Sequence, residues 1–182
     1  TIFMNFSTLI KGAVLCAFCS LAIPGFTQNL LYFNTCPDTI SCVLHSIDVN
    51  TCDTVQIMSI PFGAITFAPD GRLYSITSSS LDNSITAYEI DVDSRSYQLV
   101  FSRVESNIIV GNGAASVVFS EDGYCYLAAI TGLIRFRWPD GAVELLEQIQ
   151  IAGMAYNQNE NSIYLTHFLN GLRVYDLETL SL

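Results

Sequence analysis

The chain has 182 residues, 51 % of them hydrophobic and only 13 % charged, a balance that excludes a disordered chain. Seventeen acids against seven bases leave a formal net charge of −10. Nucleic acid and anionic membranes need a basic face, so neither is an expected partner; the acidity suits a soluble exported protein.

The N-terminus reads as a secretory signal. A start at Met4 gives a short leading segment ending in Lys11, an apolar run from Ala13 to Ile23, the breaker Pro24-Gly25, and Thr27 as a small residue before Gln28. Such a run fits a signal peptide over residues 1–27 and is too short to cross a bilayer. No later segment reads as a membrane span.

From residue 28 onward the hydrophobic pattern has the period of strands. Residues 72–76 and 84–90 are rich in β-branched and aromatic types, and Asp70-Gly71, Asp122-Gly123, Asp140-Gly141 and Asn170-Gly171 are tight-turn dipeptides. The segment Gly63-Ala64-Ile65-Thr66-Phe67-Ala68-Pro69-Asp70-Gly71-Arg72-Leu73-Tyr74 returns near Gly113 to Tyr126 and, more loosely, near Gly153 to Tyr164. Tyr32, Tyr74, Tyr126 and Tyr164 mark the second strand of each unit, and Asp48, Asp91, Arg137 and Asp176 close the third. Repeats of roughly 40–50 residues made of strands and tight turns are blades of a β-propeller.

The fold class is therefore all-β: about three and a half four-stranded blades of a propeller, near residues 29–60, 61–106, 107–150 and 151–182. The first blade has three strands, at 30–33, 43–48 and 54–59. The second has four, at 63–67, 72–78, 84–91 and 96–104, and so does the third, at 113–119, 124–129, 133–138 and 142–149. The first blade lacks its innermost strand and the fourth its outermost. Together with residues before Met4 that look like upstream read-through, this predicts a piece of a longer protein that supplies the remaining blades. Alone, such an arc exposes strand edges.

The units Phe67 to Tyr74 and Ile85 to Asp91 resemble the repeats of NHL-like and YVTN-like propellers, above all those in N-terminal regions of secreted, gliding-motility-associated bacterial proteins. The resemblance covers about residues 29–182. It implies a propeller followed, in the longer protein, by adhesin-like modules and a sorting domain. The WD signature and the sialidase Asp-box are absent.

Four cysteines follow the signal. Cys125 aligns with Leu73 and Ile163 and reads as a buried small hydrophobe. Cys36 and Cys42 bracket one loop, whereas Cys52 lies a strand length away, so Cys36–Cys42 is the easiest disulfide. Zinc is not expected, because no Cys-x-x-Cys or paired histidines occur. Asp91-Val92-Asp93-Ser94 has the carboxylate spacing of a calcium loop, but its counterparts Asp48-Val49-Asn50-Thr51 and Asp176-Leu177-Glu178-Thr179 point to recurring turn chemistry. No nucleophile motif accompanies His45 or His167.

The expected function is non-catalytic: a secreted or cell-surface binding and scaffolding module, with no cofactor and with a protein or glycan ligand. Its rim is expected in the loops after the second strands and the connectors between blades, at Asp38, Ser79, Asp82, Asn83, Asn112, His167 and Asn170. The alternative is a metal-dependent lactonase-like or phytase-like hydrolase whose acidic ligands lie in further blades. Here the inner strands are preceded by Phe62, Asn112 and Gln150, and none of these is an acid.

Overall fold

The computed structural model describes residues 30–37, 40–105, 114–129, 131–167 and 171–182. The expected signal peptide lies outside them. The described residues form strands and turns only. The first sheet contains β1 (Leu30–Thr35), β2 (Ser41–Asp48) and β3 (Thr54–Pro61). The second contains β4 (Ala64–Phe67), β5 (Leu73–Ser79), β6 (Ser84–Asp91) and β7 (Ser96–Val104). The third contains β8 (Ala114–Phe119), β9 (Tyr124–Ala129), β10 (Gly132–Arg137) and β11 (Val143–Glu147). The fourth contains β12 (Ile151–Asn157), β13 (Ser162–His167) and β14 (Gly171–Asp176).

Each sheet is an antiparallel meander in which spatial order follows chain order. The inner strands β4, β8 and β12 stand side by side, which stacks the sheets like blades around an axis. Three cores fill the three gaps between the four sheets. Leu44 and Ile60 meet Leu73 and Ile90 in the first gap. Ile76 and Ile85 meet Phe119, Leu127 and Phe136 in the second. Tyr126 and Leu133 meet Ile163, Leu165 and Tyr175 in the third. A strand shared by two gaps must be apolar on both faces: Leu73 points into the first gap and Tyr74 into the second. That is why β5 and β9 are buried almost throughout, β9 as an apolar run and β5 with small Ser and Thr among its apolar residues. The architecture is a partial β-propeller of four blades.

Close approach of β5 explains the glycine just before β4. A Cβ on Gly63 would sit 2.6 Å from Ser75 Oγ and 2.8 Å from the Ile76 carbonyl oxygen. The second gap carries an aromatic cluster in which Trp138 meets Tyr74, Phe101 and Phe119 at centroid distances of 4.8, 5.4 and 5.1 Å. Arg103 lies over Phe136 at 4.6 Å and donates from Nη1 to the Gly141 carbonyl at 2.7 Å, tying β7 to the next blade.

Strand bounds shift by up to two residues from the sequence reading, and two of the shifts have a visible cause. β1 and β2 reach Thr35 and Ser41, because the Cys36–Cys42 disulfide closes the hairpin directly at their ends. The outer strand of the third blade is shorter than 142–149, ending at Glu147, beyond a register shift near Leu133 and Ile134.

Candidate functional site

Antiparallel meanders sort the loops to two ends. Hairpins joining first to second and third to fourth strands gather at one end. Turns joining second to third strands, and the connectors between blades, gather at the other.

The hairpin end repeats its chemistry. Asp48 Oδ1 accepts the amides of Asn50 (2.8 Å) and Thr51 (3.4 Å). Asp91 Oδ1 accepts those of Asp93 and Ser94, both at 3.0 Å. Asp176 Oδ1 accepts those of Glu178 (2.8 Å) and Thr179 (2.9 Å). These are Asx turns, in which a carboxylate closes its own backbone. The Ser94 amide holds the Asp91 carboxyl below its ordinary value, and the Thr179 amide does the same for Asp176. In the third blade Arg137 replaces the aspartate, and the turn closes through Gly141 N–H donating to the Arg137 carbonyl at 2.7 Å. Second-strand tyrosines reach back to the same end: Tyr74 donates to Asp70 at 3.0 Å and Tyr164 donates to Glu160. Burial, and then the bond to Asp70, push the Tyr74 phenol up to about 12.

Among the described residues the loop end differs between the first two blades. In the first blade the disulfide holds the Cα atoms of Cys36 and Cys42 4.1 Å apart. The Phe62 amide donates to the Ile40 carbonyl at 3.2 Å, and the Phe62 side chain packs into the first core. In the second blade Ser84 Oγ donates to Asp82 Oδ1 at 2.7 Å, and the Leu81 amide donates to Ser79 Oγ at 3.3 Å. The Ser84 and Ser79 hydroxyls hold the Asp82 carboxyl below its ordinary value. Asn83, at φ 54°, donates from Nδ2 to the Glu105 carbonyl and accepts the Glu105 amide at 2.8 Å. Glu105 in turn pairs with Arg103 Nε at 2.8 Å. His167 ends β13, opposite Ile151 and Gly171.

Of the rim residues expected from sequence, Asp82, Asn83 and Ser79 thus meet in one braced turn. His167 stands at the same end in the fourth blade. Asp38, Asn112 and Asn170 lie outside the described residues. Sequence reasoning passed over two apolar side chains on this end, Ile40 at 81 % exposure and Leu81 at 95 %. The signal was an aliphatic residue at the tip of a polar turn, where solvation alone favours Ser, Asn or Asp.

His45 and Cys125 are structural. His45 Nε2 lies 3.0 Å from Thr35 Oγ1, and its ring stacks on Phe33 at 5.0 Å. Cys125 is fully buried, and burial pushes its thiol well up, away from the reactive thiolate. Cys52 is an exposed thiol at the hairpin end. A shallow depression is lined by Glu89, Asp91, Ser96, Tyr97 and Gln98, but Glu89 already accepts from Arg72 (3.0 Å) and Gln98 (3.3 Å). Among the described residues no three His, Cys, Asp or Glu side chains are placed to share a metal ion, and no helix is long and apolar enough to cross a membrane.

No protein-family model matches the chain, and no curated protein matches it by sequence. Solved structures match it by shape. A chain of a nidogen/laminin complex superposes at a TM-score of 0.54 with 9 % identity, covering 82 % of this chain and 61 % of that one. The Malassezia sympodialis allergen Mala s 1 gives 0.53 with 10 % identity, over 85 % of this chain and 59 % of that one. An auxiliary nutrient binding protein from Bacteroides ovatus gives 0.52 with 12 % identity, over 85 % and 40 %. At such identities the likeness is one of fold, and this chain spans about half the length of the structures it matches.

Proposed function

We propose that this chain is part of a secreted or cell-surface β-propeller that acts as a non-catalytic binding and scaffolding module of the NHL-like or YVTN-like type. In this reading a longer protein supplies the other blades. One observation carries it: among the described residues the loop end differs between the first two blades, one closed by a disulfide and the other by a braced turn, while the opposite end is fixed by the same turn in three of four blades. Loops that vary on a rigid scaffold are the usual place of recognition. The disulfide supports an exported chain.

The exposed Ile40 and Leu81 favour a protein ligand over a glycan, since aliphatic tips bury well against an apolar protein surface and offer a sugar no hydrogen bond. Asp82 and Asn83 then act mainly by shaping the loop that presents Leu81. The likeness to an auxiliary nutrient binding protein agrees with a binding role and identifies no ligand.

The test is to display the complete propeller on arrays of extracellular proteins and glycans, with and without EDTA. Saturable protein binding that EDTA leaves unchanged is the expected result. Hydrolysis of a lactone or phosphate ester that EDTA abolishes would instead establish the hydrolase alternative.

A further inference from the structure

The outer edge of the second blade is built unlike the outer edges beside it. β7 closes that sheet and, among the described residues, has no strand on its far side. Proteins blunt such edges by shortness, charge or proline, because free N–H and C=O groups template further strands. β11 is five residues long and carries Glu144 and Glu147. β3 ends in Pro61, and its Ile57, Met58 and Ile60 turn into the first core. β7 has nine residues, no proline and one charged side chain. That side chain, Arg103, is committed elsewhere, to the Gly141 carbonyl at 2.7 Å and to Glu105 at 2.8 Å. A bulge does not set β7 apart, since β3, β7 and β11 each shift register at the same place, beside Leu44, Ala87 and Leu133.

The two faces of β7 differ. Tyr97, Leu99 and Val104 stand opposite Ile90, Tyr88 and Ser84, so they share one face, and they are 50, 56 and 70 % exposed. Tyr88 meets Tyr97 edge-on there at 5.7 Å. The other face is polar toward the hairpin end, where Ser96 and Gln98 stand opposite Asp91 and Glu89 and help line the shallow depression. Arg72 offsets Glu89 at 3.0 Å, whereas Asp91 has no ion-pair partner among the described residues. An apolar row and an acidic end thus flank one open backbone edge.

We infer that β7 accepts an added antiparallel strand from a basic, amphipathic extended segment of another protein. The ladders within the blades are antiparallel, and β7 runs from the hairpin end to the loop end, so the incoming strand finishes beside the depression. Its apolar side chains, at every second position, lie over Tyr97, Leu99 and Val104. An arginine or lysine near its C-terminal end, on the opposite face, reaches Asp91. Backbone hydrogen bonds supply affinity, and the alternating faces supply selectivity. The net charge of −10 draws a basic segment and repels a second copy of this chain. This surface is separate from the loop end, and the inference does not depend on what binds there.

The experiment is a fluorescence anisotropy titration with the protein expressed from its complete coding sequence. The probe is a labelled peptide of about nine residues, the length of β7, alternating valine with threonine and carrying arginine at its last polar position. Saturable binding is expected. It should weaken roughly tenfold or more when glutamate replaces the arginine, and when one of the two alternating sets of peptide amides is N-methylated but not the other. Leu99→Asp should weaken it as much, although the new charge alone would attract the probe. Leu172→Asp, at a side chain 64 % exposed on β14, should leave it unchanged. No saturable binding, an equal effect of the two N-methylated probes, or equal binding of the glutamate probe overturns the inference. So does slow hydrogen exchange along 96–104 before any probe is added, which would mean that the protein covers β7 itself.

Discussion

The two ends of the blades are built by different rules. At the hairpin end, three blades close with an aspartate that accepts two amides of its own turn, and tyrosines from the second strands dock on acids four residues earlier. At the loop end, the first blade uses a disulfide and the second a turn knotted through Asn83, Glu105 and Arg103. Recurrence marks a constraint common to every blade, namely closing a tight turn without losing backbone hydrogen bonds. Diversity marks freedom from that constraint, and free positions are where a binding surface arises.

The largest test of this contrast lies just above the hairpin end. Trp138→Ala removes the ring shared by Tyr74, Phe101 and Phe119 between the second and third blades, and is expected to cost about 3–4 kcal/mol in urea unfolding. A loss below about 1 kcal/mol would mean the blades do not rely on this seam. Gly132→Ala probes the loop end, and sharpens the contrast by exception. Gly132 has φ 148°, and its Cβ would fall 1.9 Å from the Glu147 carbonyl oxygen. The expected loss is about 3 kcal/mol, because the backbone itself blocks the side chain.

Alkaline pH acts on the hairpin end. The folded Tyr74 phenol lies at about 12, above its ordinary 10.0. Its contribution is therefore complete below pH 10 and lost as pH rises from 10 toward 12, since the unfolded chain releases that proton first. Thermal unfolding followed from pH 8 to 11 should show a fall in Tm that Tyr74→Phe reduces. Acid acts in the opposite sense on Asp91 and Asp176. Both carboxyls are lowered, so their contribution is present above the ordinary carboxylate range and lost as pH falls through it. Asp91→Ala should lower Tm by less than Trp138→Ala and weaken the acid dependence. The smallest effect is expected from Leu81→Ser, within about 0.5 kcal/mol of the parent, because Leu81 is 95 % exposed.

Much of the fold was legible in the sequence because a propeller blade is local. Each strand pairs with the next, so alternation, Asp-Gly turns and the recurring Tyr and Asp positions carry the architecture without long-range information. The readings of Asp91 as a turn former and of Cys125 as a core residue follow from the same alignment of blades. The candidate site was less legible. Asp82 and Asn83 were expected at the rim because they are short and polar, but their partners Ser84 and Glu105, which brace the turn that carries them, left no sign in the sequence. Leu81 and Ile40 escaped notice because periodicity describes strands and says nothing of a turn tip. The seam formed by Arg103 and Trp138 pairs residues on different blades, a contact no local pattern encodes.

The most direct test of the central claim compares the two ends by the same substitution. Ile40→Asp and Leu81→Asp place a charge on the loop end; Val49→Asp, at a side chain 42 % exposed in the β2–β3 turn, places one on the hairpin end. The three variants and the parent are titrated against the strongest protein ligand found on the array, after equal Tm values establish equal folding. Binding weakened at least tenfold by the first two and unchanged by Val49→Asp is the result this account predicts. Binding lost with Val49→Asp and kept by the other two would place recognition on the hairpin end and contradict it.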